Sequence, residues 1–579
     1  MLALVSSAAV LGLVAAACGS SGGGSTSGSS TTSGGAATTP GEAPGTVVAG
    51  STLPASSTST PAETPTPGGK LVMGIEADTS SPWMPAEMLC AISCHQVVKT
   101  VYDPMLIPTA DGKWAPYLLK SLTPNATYTQ WTMTARPGIT FHDGTPFNGA
   151  ALLDNLNRFK LGTLTGAYLA DVSGVALSPT DPMSVVLTMK RKWVTFPETL
   201  LVGQQDYIAS PKWMKAADAN PTLKSKPVGT GPFIFESYSP NGSFKAKRNP
   251  NYWNKPYPYL DEIEFRPITD GVQRANALKS GALDLEMNDV GEVVAEFRDA
   301  KGFKQEEISN NAEVSYRLLH VTQTLKNGQP SPLTDQRVRC ALANAYDEPT
   351  IIKTIDHNVF PQANGPFAPG TVGYLKDTGY PQKQDMDKAK ALIAAYKKDH
   401  PGRLTLALAT TTDETNIEIA QFEKQWFEEA GVDQVTINSI DQASYILTAL
   451  LGNFQVFQWR NHTGFDLDNQ YIWWDSISAK PVGQLALNFG RIKDPVIDQA
   501  LDANRGETDP AKKQQYAETI NKRFGEQCYD LWTTWNIWGI AHKDAVHGVE
   551  NFKLPDGQMS QFGQGIAGTF YPQTLWVQH

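Results

Sequence analysis

Positive charge is scarce at the start of this chain. No Lys or Arg precedes Lys70, and only 18% of the 579 residues are charged. The net charge is −10, and no extended basic cluster interrupts it. That balance argues against nucleic acid as a partner. Long apolar runs are missing too. The N-terminal stretch Leu2 to Ala17 is apolar and rich in small residues, but a spanning helix needs about 20 residues. From Lys70 onward there is no G-x-S-x-G, no H-E-x-x-H and no phosphate-binding loop. The common signatures of serine hydrolases, zinc proteases and nucleotide hydrolases are therefore absent. Asp466 and Asp468 are close in sequence, but such closeness does not set the carboxylate spacing that glycoside hydrolysis requires.

What is present points to a large globular body. A chain of 579 residues is too long for one core, so two or more domains are expected. With 41% hydrophobic residues the composition is that of a packed protein. Aromatics are plentiful, at 14 Trp, 19 Tyr and 22 Phe. Most belong to cores, and some are expected to line a cleft.

The first 69 residues read as targeting and tether. Ala15-Ala16-Ala17-Cys18-Gly19-Ser20 resembles a bacterial lipoprotein signal, with residues 1–17 removed and Cys18 lipidated as the first mature residue. It departs from that pattern in having Ala15 where Leu is usual and in lacking a basic n-region. Residues 18–69 are almost only Gly, Ser, Thr, Ala and Pro, which cannot bury enough surface to offset ordering entropy. As a coil this segment spans roughly 40 Å. It would hold a folded body away from a membrane in which acyl chains on Cys18 are anchored.

Four cysteines remain after Cys18. Outside the cytosol they are free to form disulfides. Cys90 and Cys94 are close enough to pair on one helical turn. Only His95 flanks them, so a zinc site is not expected. The sequence leaves the pairing of Cys340 with Cys528 open.

The body opens with a strand signal at Lys70 to Glu76 and a turn-rich loop through Ser81, Pro82 and Trp83. His142 lies in turn chemistry between Arg136 and Phe147, and a structural hydrogen bond is its expected role. Val228-Gly229-Thr230-Gly231-Pro232 reads as a tight turn that needs small residues for backbone approach.

Further on, strands at Leu404–Ala409, Gln434–Ile440 and Phe454–Trp459 alternate with helices at Asn416–Ala430 and Gln442–Leu451. Such a β-α-β-α-β series forms a parallel sheet with right-handed crossovers, and ligands sit beyond the carboxyl ends of its strands. The third strand delivers a polar loop, Arg460 to Asp468, followed by Tyr471, Trp473 and Trp474. Apolar walls with a few convergent polar groups suit a small-molecule pocket, so Asn453 to Asp475 is read as one wall of a ligand cleft. A helix is expected at Lys512–Gln527. Tyr529 to Ile540 follows as a strand run bearing Trp532, Trp535 and Trp538.

Several motifs carry a family resemblance. They are Tyr102-Asp103-Pro104, Asp111-Gly112-Lys113-Trp114, Arg136 to Phe147, Lys226 to Phe233, Arg248 to Trp253, Leu260 to Ile263, Ala277 to Gly281 and Asp335 to Arg339. In this order they resemble the extracytoplasmic solute-binding proteins of ABC importers, of the peptide- and nickel-binding kind known as family 5. The resemblance implies an α/β, two-lobed, type II periplasmic-binding fold joined by a two-crossing hinge. Lobe 1 would hold residues 70–267 and 542–579, with an inserted subdomain at about 105–226. Lobe 2 would hold 268–541, and the segment near Trp538 would cross back at the hinge.

The same resemblance implies a monomeric receptor, not an enzyme, with no cofactor. It would bind a peptide or similar small solute between the lobes and pass it to a membrane permease coupled to ATPase subunits. A metal-chelate ligand, and a sensor or chaperone role without transport, are the alternatives.

The expected contacts are Trp459, Arg460, His462 and Asp466 from lobe 2, Trp535 and Trp538 near the hinge, and Ser81 and Trp83 from lobe 1. In peptide-binding relatives an Asp three residues after the Trp holds the peptide ammonium. Here that place is His462, which speaks against peptides with free N-termini. No metal site is expected.

Overall fold

The computed structural model describes residues 64–578, apart from 79–82, 89, 91, 310–312, 413, 441, 463 and 564–565. The signal, Cys18, most of the tether and Ser81 therefore lie outside the described residues. Among the described residues no helix is long and apolar enough to cross a membrane.

Two sheets organise the body. The larger has seven strands, in the order Phe303–Ile308, Trp538–Lys543, Leu285–Asn288, Lys70–Ile75, Glu262–Pro267, Phe244–Arg248 and Phe233–Tyr238. Lys70–Ile75 runs parallel to both of its neighbours, Glu262–Pro267 and Leu285–Asn288. Its core gathers Leu71, Met73, Phe265, Leu285 and Ile540.

The second sheet has five strands, in the order Gln434–Ser439, Thr405–Thr410, Val456–His462, Glu313–Leu319 and Asp530–Trp535. Its first three are parallel, as the β-α-β-α-β pattern requires. The two crossover helices are Glu414–Glu429 and Gln442–Leu451. Ile419, Phe427 and Ala430 are buried beneath the first of them, which is why this segment folds as an amphipathic helix.

A third, antiparallel sheet of four strands lies within residues 119–189, inside the 105–226 stretch. Its apolar residues, such as Trp131, Met133 and Leu187, belong to the same core as Leu406, Val456 and Trp459 of the second sheet. This third element therefore packs against the second sheet's unit.

The sheets place the chain crossings differently from the expected lobe limits. Leu285–Asn288 and Phe303–Ile308 hydrogen-bond within the seven-stranded sheet, so a boundary at 267–268 would cut through it. The chain passes to the second sheet between Ile308 and Glu313 and returns between Trp535 and Trp538. The apolar run Tyr529 to Ile540 is thus two strands in two sheets, not one strand. At the break, Asn536 N–H donates to Glu313 O at 2.7 Å and Trp535 N–H donates to Pro361 O at 3.0 Å. These bonds turn the chain out of one ladder before the next begins.

Local chemistry accounts for other elements. The helix Pro510–Gln527 starts on Asp509, whose side chain accepts from Ala511 N–H at 2.9 Å. Cys528 ends it in the left-handed region at φ 48°. A Cβ on Gly229 or Gly231 would collide with the Val101 backbone, so the tight turn does need glycine. His142 Nε2 bonds Gly231 O at 3.0 Å. Burial pulls the pKa of His142 down to about 4, so its role is structural.

Candidate functional site

The strand Val456–His462 has two faces that do different work. Trp459 points to one of them, where its ring meets Phe489 at 4.9 Å and Phe489 meets Trp473 at 5.4 Å. These rings line a cavity of about 100 Å³. Ile446, Leu450 and Leu487 complete the side given by the second sheet's unit. The opposite wall is Leu164, Tyr168, Gly203 and Gln204 from the 105–226 stretch, with Cys90 just before and His95 within the helix Ile92–Val101, and Ile566 closes the lining. No Asp, Glu, Lys or Arg is among these residues.

The polar groups at the cavity are few. His95 Nδ1 lies 3.1 Å from the Tyr207 hydroxyl. Gln204 Nε2 donates to Met88 O at 2.6 Å. Burial pushes the Tyr168 hydroxyl well above its ordinary pKa, partly offset by a hydrogen bond with Trp473. Cys90 is disulfide-bonded to Cys94, with Cα atoms 5.1 Å apart, and this bond fixes the rim.

Arg460 points to the other face of the strand. Its guanidinium donates to Asp289, pairs with Glu76 at 3.4 Å and lies 3.9 Å from Glu313. It also sits over the Trp538 ring at 5.4 Å. Glu76 and Asp289 follow strands of the seven-stranded sheet, so Arg460 joins the two sheets. Burial pushes Glu313 up to about 7, with Arg460 opposing that rise. Trp538 Nε1 donates to Glu313 at 2.7 Å. Arg460 and Trp538 are thus engaged in an inter-sheet cluster, away from the cavity.

The other expected contacts divide as follows. Asp466 is the N-cap of the turn Leu467–Gln470. Its carboxylate accepts from Asn504 Nδ2 at 2.6 Å and pairs with Lys513 at 2.6 Å. It is spent on structure and is not among the cavity-lining residues. Beside it, burial pushes Glu198 up to about 7, against the pull of Lys513. Asp468 pairs with Arg505 at 2.6 Å and accepts from Thr195 at 2.6 Å and from Trp193 Nε1.

Trp535 is buried, edge-on to Tyr374 at 5.9 Å. Trp83 is buried in the first core against Tyr238 and Phe244, both at 5.2 Å. Neither Trp lines the cavity. His462 ends the strand opposite Glu313, and its side chain lies outside the described residues. Among the described residues no group of three His, Cys, Asp or Glu is placed to hold a metal ion.

Among the described residues, Trp459 alone of the expected contacts lines the cavity, and Trp473 from the stretch read as a cleft wall joins it. His95, Leu164, Tyr168 and Gln204 were not foreseen. They lie in segments whose sequence reads as ordinary helix and turn, and no motif marks them.

Comparison with known proteins fits this geometry. Residues 113–481 match the family model for bacterial extracellular solute-binding proteins, family 5, middle region. The chain belongs to that family. It is 29% identical over 304 residues to the nickel-binding periplasmic protein of Escherichia coli K12, an alignment that covers 51% of this chain and 55% of that protein. The match therefore spans only about half of that relative's length.

Among solved structures, DppA of Helicobacter pylori is an ABC transporter-associated periplasmic binding protein in complex with the peptide STSA. It superposes with a TM-score of 0.75 at 19% identity, covering 89% of this chain and 99% of that one. The binding protein AgaA of A. tumefacien R10, in complex with agropinic acid, also reaches 0.75, at 22% identity, covering 88% and 99%. These two fix the fold as the two-lobed periplasmic-binding type.

Proposed function

We propose that this protein is the extracytoplasmic receptor of an ABC importer, holding a small solute between its two sheet-centred lobes and delivering it to a membrane permease. The supporting observation is the cavity beside Trp459, whose walls come from both lobes and from the inserted subdomain. A solute that touches both lobes favours the closed form by its differential affinity, which couples binding to hinge motion. The hinge lies at the two crossings where the chain changes sheets, between Ile308 and Glu313 and between Trp535 and Trp538. Binding and delivery make or break no covalent bond. The receptor acts as a monomer, anchored through acyl chains on Cys18 to the outer face of the cell membrane.

Relatives solved with a peptide or with agropinic acid support a small organic solute. The likeness to a nickel-binding protein supports a metal chelate as the second reading.

Mass spectrometry of whatever copurifies with the tagged protein separates these readings. A small organic molecule supports the first and a nickel complex the second. A protein that carries no solute and binds none in a library screen contradicts both. Cys18→Ala should move the protein from the membrane fraction to the soluble extracytoplasmic fraction. If it stays with the membrane, the anchor is not at Cys18.

A further inference from the structure

We infer that the solute seated beside Trp459 is uncharged and mainly apolar, about one ring in size, with one polar group such as a hydroxyl. This deepens the receptor reading above and rests on it.

The first ground is the chemistry of the walls. The cavity is framed by Trp459, Trp473, Phe489, Leu450, Leu164 and Ile566, and among the described residues its lining holds no Asp, Glu, Lys or Arg, His95 being bonded to the Tyr207 hydroxyl. An ammonium or carboxylate placed there would lose its water and meet no carboxylate, ammonium or guanidinium among the described lining residues, a costly exchange. The neighbouring charges do not compensate. Asp466 is held by Lys513 and Asn504, and Asp468 by Arg505 and Thr195. Arg460, which could meet a carboxylate, is turned to the opposite face and paired with Asp289 and Glu76. Among the described residues, Asp466, Asp468 and Arg460 are thus all engaged within the protein.

The second ground is size. Apolar cavities of about 150 Å³ accept benzene. One of about 100 Å³ fits a single ring or a short branched chain, with small adjustments of the walls.

The third ground is the polar corner. Gln204, one of the few polar side chains in the lining, donates from Nε2 to Met88 O at 2.6 Å. Its amide carries two N–H donors and a carbonyl acceptor, so a hydroxyl on the solute can bond to it.

The test uses the full chain after exhaustive dialysis, titrated with 4-methylphenol, toluene, tyrosine and dialanine and read by tryptophan fluorescence and calorimetry. Tyrosine carries the ring of 4-methylphenol together with both charges. We expect 4-methylphenol to perturb the fluorescence and to bind at least tenfold tighter than tyrosine or dialanine. Leu164→Trp, which fills the cavity from a half-buried position, should weaken 4-methylphenol at least tenfold, with an unchanged circular dichroism spectrum. Gln204→Leu should weaken 4-methylphenol but not toluene.

Equal or tighter binding of tyrosine or dialanine overturns the inference and leaves the receptor reading intact. Unchanged 4-methylphenol binding in Leu164→Trp also overturns it, because the probe would then sit elsewhere. If no uncharged probe binds, the inference fails. The copurified solute then decides separately whether the receptor reading stands.

Discussion

Arg460 is buried among three carboxylates drawn from both sheets: Glu76, Asp289 and Glu313. Removing one partner of a buried ion cluster leaves the others uncompensated, which typically costs about 3–5 kcal/mol. Arg460→Ala should lower the unfolding free energy by that amount in urea at pH 8. The loss should shrink toward pH 5, because Glu313, pushed up to about 7 by burial, then takes a proton. A loss under about 1 kcal/mol at pH 8 would mean that the cluster does not join the sheets.

Asp356 offers a cleaner titration. It is fully buried, neither carboxylate oxygen has a hydrogen-bond partner among the described residues, and burial pushes it up to about 9 despite Arg317. An acid whose folded pKa is raised keeps a proton that the unfolded chain has lost. Its contribution to stability therefore falls as pH rises from about 4 to about 9, and is flat above that. Asp356→Asn removes this loss. The variant's melting temperature should gain on the wild type steadily between pH 6 and pH 9, as measured by thermal denaturation. A constant difference across that range would contradict the assignment.

At the scale of elements, the two disulfides differ in what they hold. Cys340–Cys528 joins the helix Gln336–Ala345 to the residue after Pro510–Gln527, across a sequence separation of 188. Closing so long a loop restrains the unfolded chain strongly. The Cys340→Ala/Cys528→Ala double variant should lose about 2–4 kcal/mol in denaturant unfolding. Cys90–Cys94 spans a separation of only 4 and sits at the cavity rim. Its removal should cost much less stability and act instead on solute affinity, which parallel urea and binding titrations would separate.

Elements are also where the sequence was most legible. The alternation of Leu404–Ala409 and the helical face of Ile419 and Trp426 announced a parallel sheet, because a local period fixes both strand and helix. The inter-sheet break at Asn536 was not legible. The apolar run through it is continuous, and what divides it is a bond to Glu313, far away in sequence. The loop after Trp459 is hard to read for the same reason. Asp466 and Asp468 look available in sequence, but their partners Asn504 and Arg505 lie 38 and 37 residues further on. Trp459 and Trp473 could be named as a pocket wall from composition alone. Leu164 and Gln204 could not, since only tertiary packing brings the inserted subdomain to that wall.

At the scale of the whole molecule, the 105–226 stretch and the second sheet's unit are fastened together by charge as well as by core. Arg505 reaches Asp171 at 2.6 Å and Asp468 at 2.6 Å, while Arg191 bonds the Tyr471 hydroxyl at 2.8 Å. The cavity beside Trp459 is bounded by this same junction, so in the proposed receptor a solute held there would be gripped by both units. A receptor built in this way should hold its solute through purification.

Native mass spectrometry of the full chain, purified under mild conditions and followed by identification of the released molecule, tests that claim most directly. The account predicts one small solute per chain, uncharged and mainly apolar, and absent from Leu164→Trp. A wild-type protein that carries no small molecule and binds none when challenged, or a solute that persists unchanged in Leu164→Trp, would contradict it.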